Sequence, residues 1–335
     1  MDRISPRRAK PRTYIATICS LLACLQGAWA QSVRNPDVAS DIYAARLDAV
    51  NSTLNSRTRE SGAYVFWEQA GTEGGAPKYF TFTGAGLINY DSNPGAVATG
   101  AVGDWNVNPD LTLDFKKQIL TKVMFTATLD ANTNRYLSMT AGNRDEVSLQ
   151  TKFLLSEEEP DFLAPDRWGF AYLNNKLTED YNTGFGGPQV KFDDISVGYT
   201  NQYYFTRSFK KATPGNADNF AAFDLSVGRR QASPSAKNGT YLQVKFTMSH
   251  TFNDDWALSF SPKAKVTYRD SPAQRATLWS NDLVLAYTPQ WLSNLSGRAG
   301  EIDFTESYAK NFSPANTAAI TDNNISVTIA VKWPF

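Results

Sequence analysis

Cysteine is almost missing from this 335-residue chain, and its two copies, Cys19 and Cys24, both fall within the first thirty residues. Without them nothing remains for a disulfide framework, a thiol nucleophile or a thiolate metal site. Histidine is scarcer still: His250 is the only one, so any Ser–His or Asp–His mechanism must run through it. Past residue 30 no stretch approaches the ~20 apolar residues of a transmembrane helix. Charge of one sign is not in excess either, with 33 basic against 33 acidic residues, which argues against nucleic acid as a partner. Walker loops, zinc spacings and the dinucleotide fingerprint are absent. No cofactor, no metal and no enzymatic activity are therefore expected.

The first positive feature is a cleavable leader over residues 1–30. Arg3, Arg7, Arg8, Lys10 and Arg12 form a basic start, Tyr14 to Cys24 a short apolar core, and Ala28-Trp29-Ala30 a small-x-small cleavage site. The rival reading is a lipoprotein signal, since Leu21-Leu22-Ala23-Cys24 loosely follows a lipobox. Cleavage after Ala30 removes both cysteines and leaves 28 basic against 32 acidic residues. A mean hydropathy of −0.39 looks soluble, but a membrane barrel has the same average because only every second residue meets lipid.

The last eleven residues carry the clearest pattern. Ile325, Val327, Ile329, Val331, Trp333 and Phe335 fall on one strand face, and Ser326, Thr328, Ala330, Lys332 and Pro334 on the other. A strand between lipid and a lumen needs this alternation, with rings at the membrane interface. The terminus resembles the closing strand of Gram-negative outer-membrane β-barrels, in which a C-terminal Phe preceded by alternating hydrophobics is recognised by the barrel-assembly machinery. The resemblance implies an outer-membrane location, contact with membrane lipid and lipopolysaccharide, and Phe335 as the assembly signal.

The fold expected is all-β: an antiparallel transmembrane β-barrel of about 12–14 strands preceded by a short N-terminal helix. Residues 31–61 hold the helix, since Val38, Ile42, Tyr43, Leu47, Val50 and Leu54 recur at spacings of three to five, with Asp37 or Ser40 as cap. It could sit in the periplasm or plug the lumen. Residues 62–335 form the barrel. The clearest hairpin is 241–268, turning at Asn253-Asp254-Asp255, with Leu242, Val244, Phe246 and Met248 facing Trp256, Leu258, Phe260 and Val266 on the apolar side. Earlier strands are expected at 63–69, 78–90, 105–116, 118–129, 134–141, 146–156 and 167–174. Ile195 to Phe209 shares one parity, followed by Phe223–Val227, Leu283–Tyr287 and Ile302–Tyr308. An even strand count puts both termini in the periplasm. The segments 175–193, 231–239, 270–275 and 313–323 then lie outside the cell, and 175–193 is the longest of them. Interfacial girdle rings are expected at Trp168, Trp256, Tyr268, Tyr287, Trp333 and Phe335.

On the inward parity fall Lys122, Lys152, Arg230, Lys245, Lys263, Lys265, Arg269 and Lys332, against Asp114, Asp224, Asp282 and Asp303. This predicts a basic-lined lumen that favours small anionic solutes. His250 takes the lipid-side parity near the periplasmic end. Outer-membrane phospholipases resemble this architecture and carry a lipid-facing His–Ser pair, but position 252 is Phe here. Omptin-type proteases pair carboxylates with a His at the opposite rim. The expected function is diffusion through an outer-membrane channel. Alternatives are a non-conducting accessory barrel for surface export or assembly, as in autotransporter translocators, a barrel-embedded hydrolase, and a soluble periplasmic β-sandwich. Self-association into a homo-oligomer is a further possible arrangement.

Overall fold

The computed structural model describes residues 32–34, 79–93, 97–140, 143–157, 167–182, 190–212, 217–233, 235, 238–253, 255–270, 274–292, 299–312 and 320–334. The leader over 1–30, the helix placed in 31–61, the strand at 63–69 and Phe335 lie outside these residues.

Twelve antiparallel strands close into one barrel. They are β1 Phe80–Asp91, β2 Asp104–Leu120, β3 Val123–Tyr136, β4 Arg144–Ser156, β5 Arg167–Asn182, β6 Val190–Phe205, β7 Asn219–Ser233, β8 Gly239–Thr251, β9 Trp256–Arg269, β10 Gln274–Tyr287, β11 Ala299–Phe312 and β12 Ile320–Pro334. Each pairs with its neighbour in sequence, and β12 returns to β1, with Val327 opposite Ile88 and Thr328 opposite Leu87. Closure leaves no sheet edge, the condition for β-structure within lipid. Apart from the barrel, Ser32–Arg34 pairs with Val97–Thr99 in the connection between β1 and β2.

The side-chain pattern inverts that of a soluble protein. Along β12, Ile325, Val327 and Ile329 are exposed while Ser326, Thr328 and Ala330 are buried; Ile329 is 49% exposed and Thr328 1%. Along β2, Asp104, Asn106, Asn108, Asp110 and Thr112 point inward and Trp105, Val107 and Leu111 outward. An apolar exterior around a polar interior is stable only with hydrocarbon outside.

Strand limits differ from the sequence expectation in three places. The segment 118–129 is split by the turn at Thr121 and Lys122, and 134–141 ends β3 instead of forming a strand, so the count is twelve. The strand from Ile195 stops at Phe205, with Phe209 in the following turn at φ 57°. The long loop over 175–193 is mostly strand: β5 runs to Asn182 and β6 starts at Val190. These strands have 16 residues, more than the ~9–11 that cross a bilayer. Their outer ends stand above the lipid, and Glu179 and Lys191 form an ion pair there. Hydrophobic alternation ceases where lipid ends, so this part of the wall has no apolar face to read.

Candidate functional site: the charged lumen

Inward parity brings most of the expected lumenal residues together. Lys152, Asp224, Arg230, Lys245, Lys263, Lys265, Arg269, Asp282 and Asp303 all share the parity of buried wall positions on their strands. Asp114 does too, accepting a hydrogen bond from Thr128 at 2.6 Å. Lys122 is not a wall position: it is half-buried in the β2–β3 turn, its Nζ 3.4 Å from the Glu157 carbonyl. The side chain of Lys332 is not among those described.

Beside the four inward aspartates expected in a basic-lined lumen stand further acids that the sequence reading did not name. Inward-facing Asp91, Asp104, Asp110, Asp130, Glu301 and Asp322 are all buried, and they line β11, β12 and β1–β3 alongside Asp282 on β10 and Asp303 on β11. Lysine and arginine are concentrated on β4–β9. The lumen is therefore divided, with one carboxylate-rich wall and one wall rich in cations. Carboxylates on the cationic side sit beside bases: Arg230 forks onto Asp194 through Nε at 2.9 Å and Nη2 at 2.8 Å, and Arg144 meets Asp180 at 3.1 Å.

The cationic wall has a repeated construction. Tyr172 on β5 lies over Gly198, its ladder partner on β6, and its hydroxyl donates to Asp224 on β7 at 3.0 Å. Lys152 from β4 places its ammonium 3.9 Å from the centre of that ring. Tyr241 on β8 lies likewise over its partner Gly228 on β7, and Lys265 from β9 sits 4.1 Å from the ring centre. Two Gly–Tyr–Lys stacks thus lie side by side. Each glycine leaves room for a ring to lie flat on the wall, and each ring presents a π-face to an ammonium. Between them Lys245 pairs across the ladder with both Asp224 and Lys263.

Below this layer, toward the end where β1 begins and β12 finishes, Met124, Leu154, Phe170, Tyr204 and Phe220 form a buried apolar cluster inside the barrel. These are inward positions of β3–β7, which the sequence reading did not single out. Tyr172 packs against the cluster and also belongs to the stack above it.

Of the six rings expected in a girdle, Trp256, Tyr268 and Tyr287 lie on the outward parity of their strands. Trp256 and Tyr287 stack at 4.4 Å at the rim where β9 begins and β10 ends, and Tyr268 is exposed at the opposite rim. The side chains of Trp168 and Trp333 are not described. Phe80, Phe115, Phe125 and Phe153 extend the girdle around β1–β4 with centroid separations of 4.9, 6.1 and 5.0 Å. His250 is on the lipid-side parity as expected, its Nδ1 2.6 Å from Asn219 Oδ1 and its ring edge-on to Phe252 at 4.7 Å.

Closure, an apolar exterior and a charged interior decide the class. The chain folds as a closed twelve-stranded β-barrel with a lipid-facing exterior. No protein-family model matches the chain, and no curated protein matches it. Solved structures similar to it include the translocator domain of autotransporter NalP from Neisseria meningitidis, at 12% identity and a TM-score of 0.44, covering 90% of this chain and 100% of that one. An outer membrane channel from Pseudomonas putida F1 is similar at 9% identity and a TM-score of 0.45, over 78% of this chain and 98% of that one. OmpT, an outer membrane protein of Vibrio cholerae, aligns at 6% identity and 0.40, over 76% and 96%. These similarities bear on neither solute nor mechanism.

Proposed function

We propose that this barrel is a channel that passes small solutes across the outer membrane, with anionic groups drawn along its cationic wall. The observation that carries the proposal is the Lys245–Lys263 pair, two lysines directly opposite on adjacent strands and both on the inward parity. Like charges so placed cost stability. Lys152 and Lys265 crowd the same wall, with Asp224 as the carboxylate set between Lys152 and Lys245. A wall built only for packing gains nothing from such an arrangement, whereas a permeation path gains a focused positive potential. The facing carboxylate wall turns that potential into a field across the lumen, which orients any solute that carries both a charged and a polar end.

The test is planar-bilayer conductance of the refolded barrel under a salt gradient. Discrete channels with an anion-leaning reversal potential are expected, and Lys245→Glu with Lys263→Glu moves that potential toward cation preference. Channels whose selectivity is unchanged by the double reversal would sink the cationic-path assignment. A second reading, a non-conducting accessory barrel, is favoured by the apolar cluster around Phe170 and Tyr204, which fills the lumen beside β3–β7. Folded barrels that insert and carry no current would decide for it.

A further inference from the structure

Among the described side chains, five outward-facing cations stand at the rim where β1 ends and β12 begins, and they are not equivalent. On the β3–β6 side Arg135 pairs with Asp145 and Lys191 with Glu179. On the β7–β11 side Arg229 pairs with Asp270, whereas Arg275 and Lys310 have no carboxylate partner among the described residues. Rim charge is thus balanced on one flank and positive on the other.

The ladder sets the geometry of the positive flank. Arg229, Thr240, Tyr268 and Arg275 occupy one cross-strand row over β7, β8, β9 and β10. Three strand spacings separate the two guanidiniums, roughly 14 Å. Two hydroxyl groups lie between them. On β11 Lys310 is opposite Trp279, and its ammonium folds to 5.0 Å from the ring centre of Phe312, which is opposite Thr277. Arg275 is one same-face step from Thr277, so its Cα lies about 7–8 Å diagonally from that of Phe312. The ammonium and the guanidinium therefore bracket one spot. Phe312 and Leu242 are exposed on the lipid face at the level of this spot, and Trp279 and Leu283 below it.

A double-headed surface of this kind, with cations above and exposed apolar side chains directly beneath, matches a lipid whose headgroup is phosphorylated. We propose that Arg275 and Lys310, flanked by Arg229 and Tyr268, form a binding site for the phosphates of a lipopolysaccharide lipid anchor in the outer leaflet. The acyl chains lie against Trp279 and Phe312. The opposite flank, with its ion pairs closed on themselves, is the internal control. The site does not depend on whether the barrel conducts.

The experiment is native mass spectrometry of the folded protein in detergent, titrated with bis-phosphorylated lipid A, the same lipid with its phosphates removed, and phosphatidylglycerol. Heat-modifiable gel mobility reports folding. Bis-phosphorylated lipid A is expected to bind best, and Arg275→Glu with Lys310→Glu weakens it by about tenfold or more, the loss of a charge-assisted contact. If that pair does not fold, Arg275→Gln with Lys310→Gln reads the same effect. Arg135→Gln with Lys191→Gln leaves binding unchanged. Equal binding of the dephosphorylated lipid, equal binding of phosphatidylglycerol, or equal weakening by the control pair overturns the assignment.

Discussion

Replacing Gly198 with alanine tests the construction of the lumen wall at its tightest point. An added Cβ would come under 3.0 Å from Tyr172 Cζ and 2.8 Å from the carbonyl oxygen of Leu225. The carbonyl belongs to the β-ladder and cannot withdraw. The ring is held by its hydroxyl bond to Asp224 at 3.0 Å and covered by Lys152. Overpacking of this kind costs about 1–3 kcal/mol. Losing the hydrogen bond to a carboxylate adds about 1.5–3 kcal/mol if the ring swings away. The better strand propensity of alanine returns about 0.5–1 kcal/mol. The expected net loss is about 1 kcal/mol if the ring keeps its bond and about 3–4 kcal/mol if it swings away, measured by urea unfolding of the barrel in lipid vesicles. Gly86 is the matched control: it faces lipid, and nothing lies within 4 Å of a Cβ built there. Gly86→Ala is expected to be neutral or stabilising by about 0.5 kcal/mol. The decisive quantity is the coupling in a double-mutant cycle with Tyr172→Ala, in which Gly198→Ala should lose most of its cost, a coupling of about 1–3 kcal/mol. A coupling near zero would falsify the claim that the glycine exists to seat the ring.

Two further outcomes follow from the same geometry. The Arg230–Asp194 fork has side chains only 11% and 14% exposed, so Arg230→Ala strands a carboxylate and lowers unfolding free energy by ~3 kcal/mol. The exposed Arg229–Asp270 pair makes the contrast, since Asp270→Asn leaves the unfolding midpoint where it was; equal shifts from both variants would contradict the burial argument. On the outer face, Val327→Arg places a cation beside Ile88 and Phe304 within the lipid belt and costs ~2–4 kcal/mol in vesicles. A cost near zero there would mean that β12 does not face hydrocarbon.

Much of the barrel is legible along the chain because lipid imposes a rule of period two. Wherever a strand crosses the hydrocarbon, every second residue must be apolar, and β8, β9 and β12 obey this closely enough to fix face and register. The same rule placed Lys152, Asp224, Lys245, Lys263 and Asp303 inward before any coordinates. It failed at Glu179 and Lys191, where the strands rise out of the membrane and polar residues suffice on both faces. It left Phe170 and Tyr204, aromatics that face inward, unassigned, since a ring's hydrophobicity does not say whether lipid or another ring will cover it. The carboxylates of β1–β3 had a signal that was missed: Asp104, Asn106, Asn108, Asp110 and Thr112 alternate with Trp105, Val107 and Leu111 as cleanly as any strand.

What the sequence determined by itself was local and periodic: which residues face lipid, where turns interrupt, and that the fold is an antiparallel membrane barrel. Which strands lie across the lumen from which is another matter, because closure brings β12 to β1 and sets walls opposite each other that are far apart in the chain. That step alone separates a carboxylate wall from a cationic wall. It also seats Tyr172 and Tyr241 over glycines on neighbouring strands and leaves Arg275 and Lys310 together on one flank of the rim. Periodicity fixes the direction of a side chain, and only the closed ladder, through its register, fixes its neighbours.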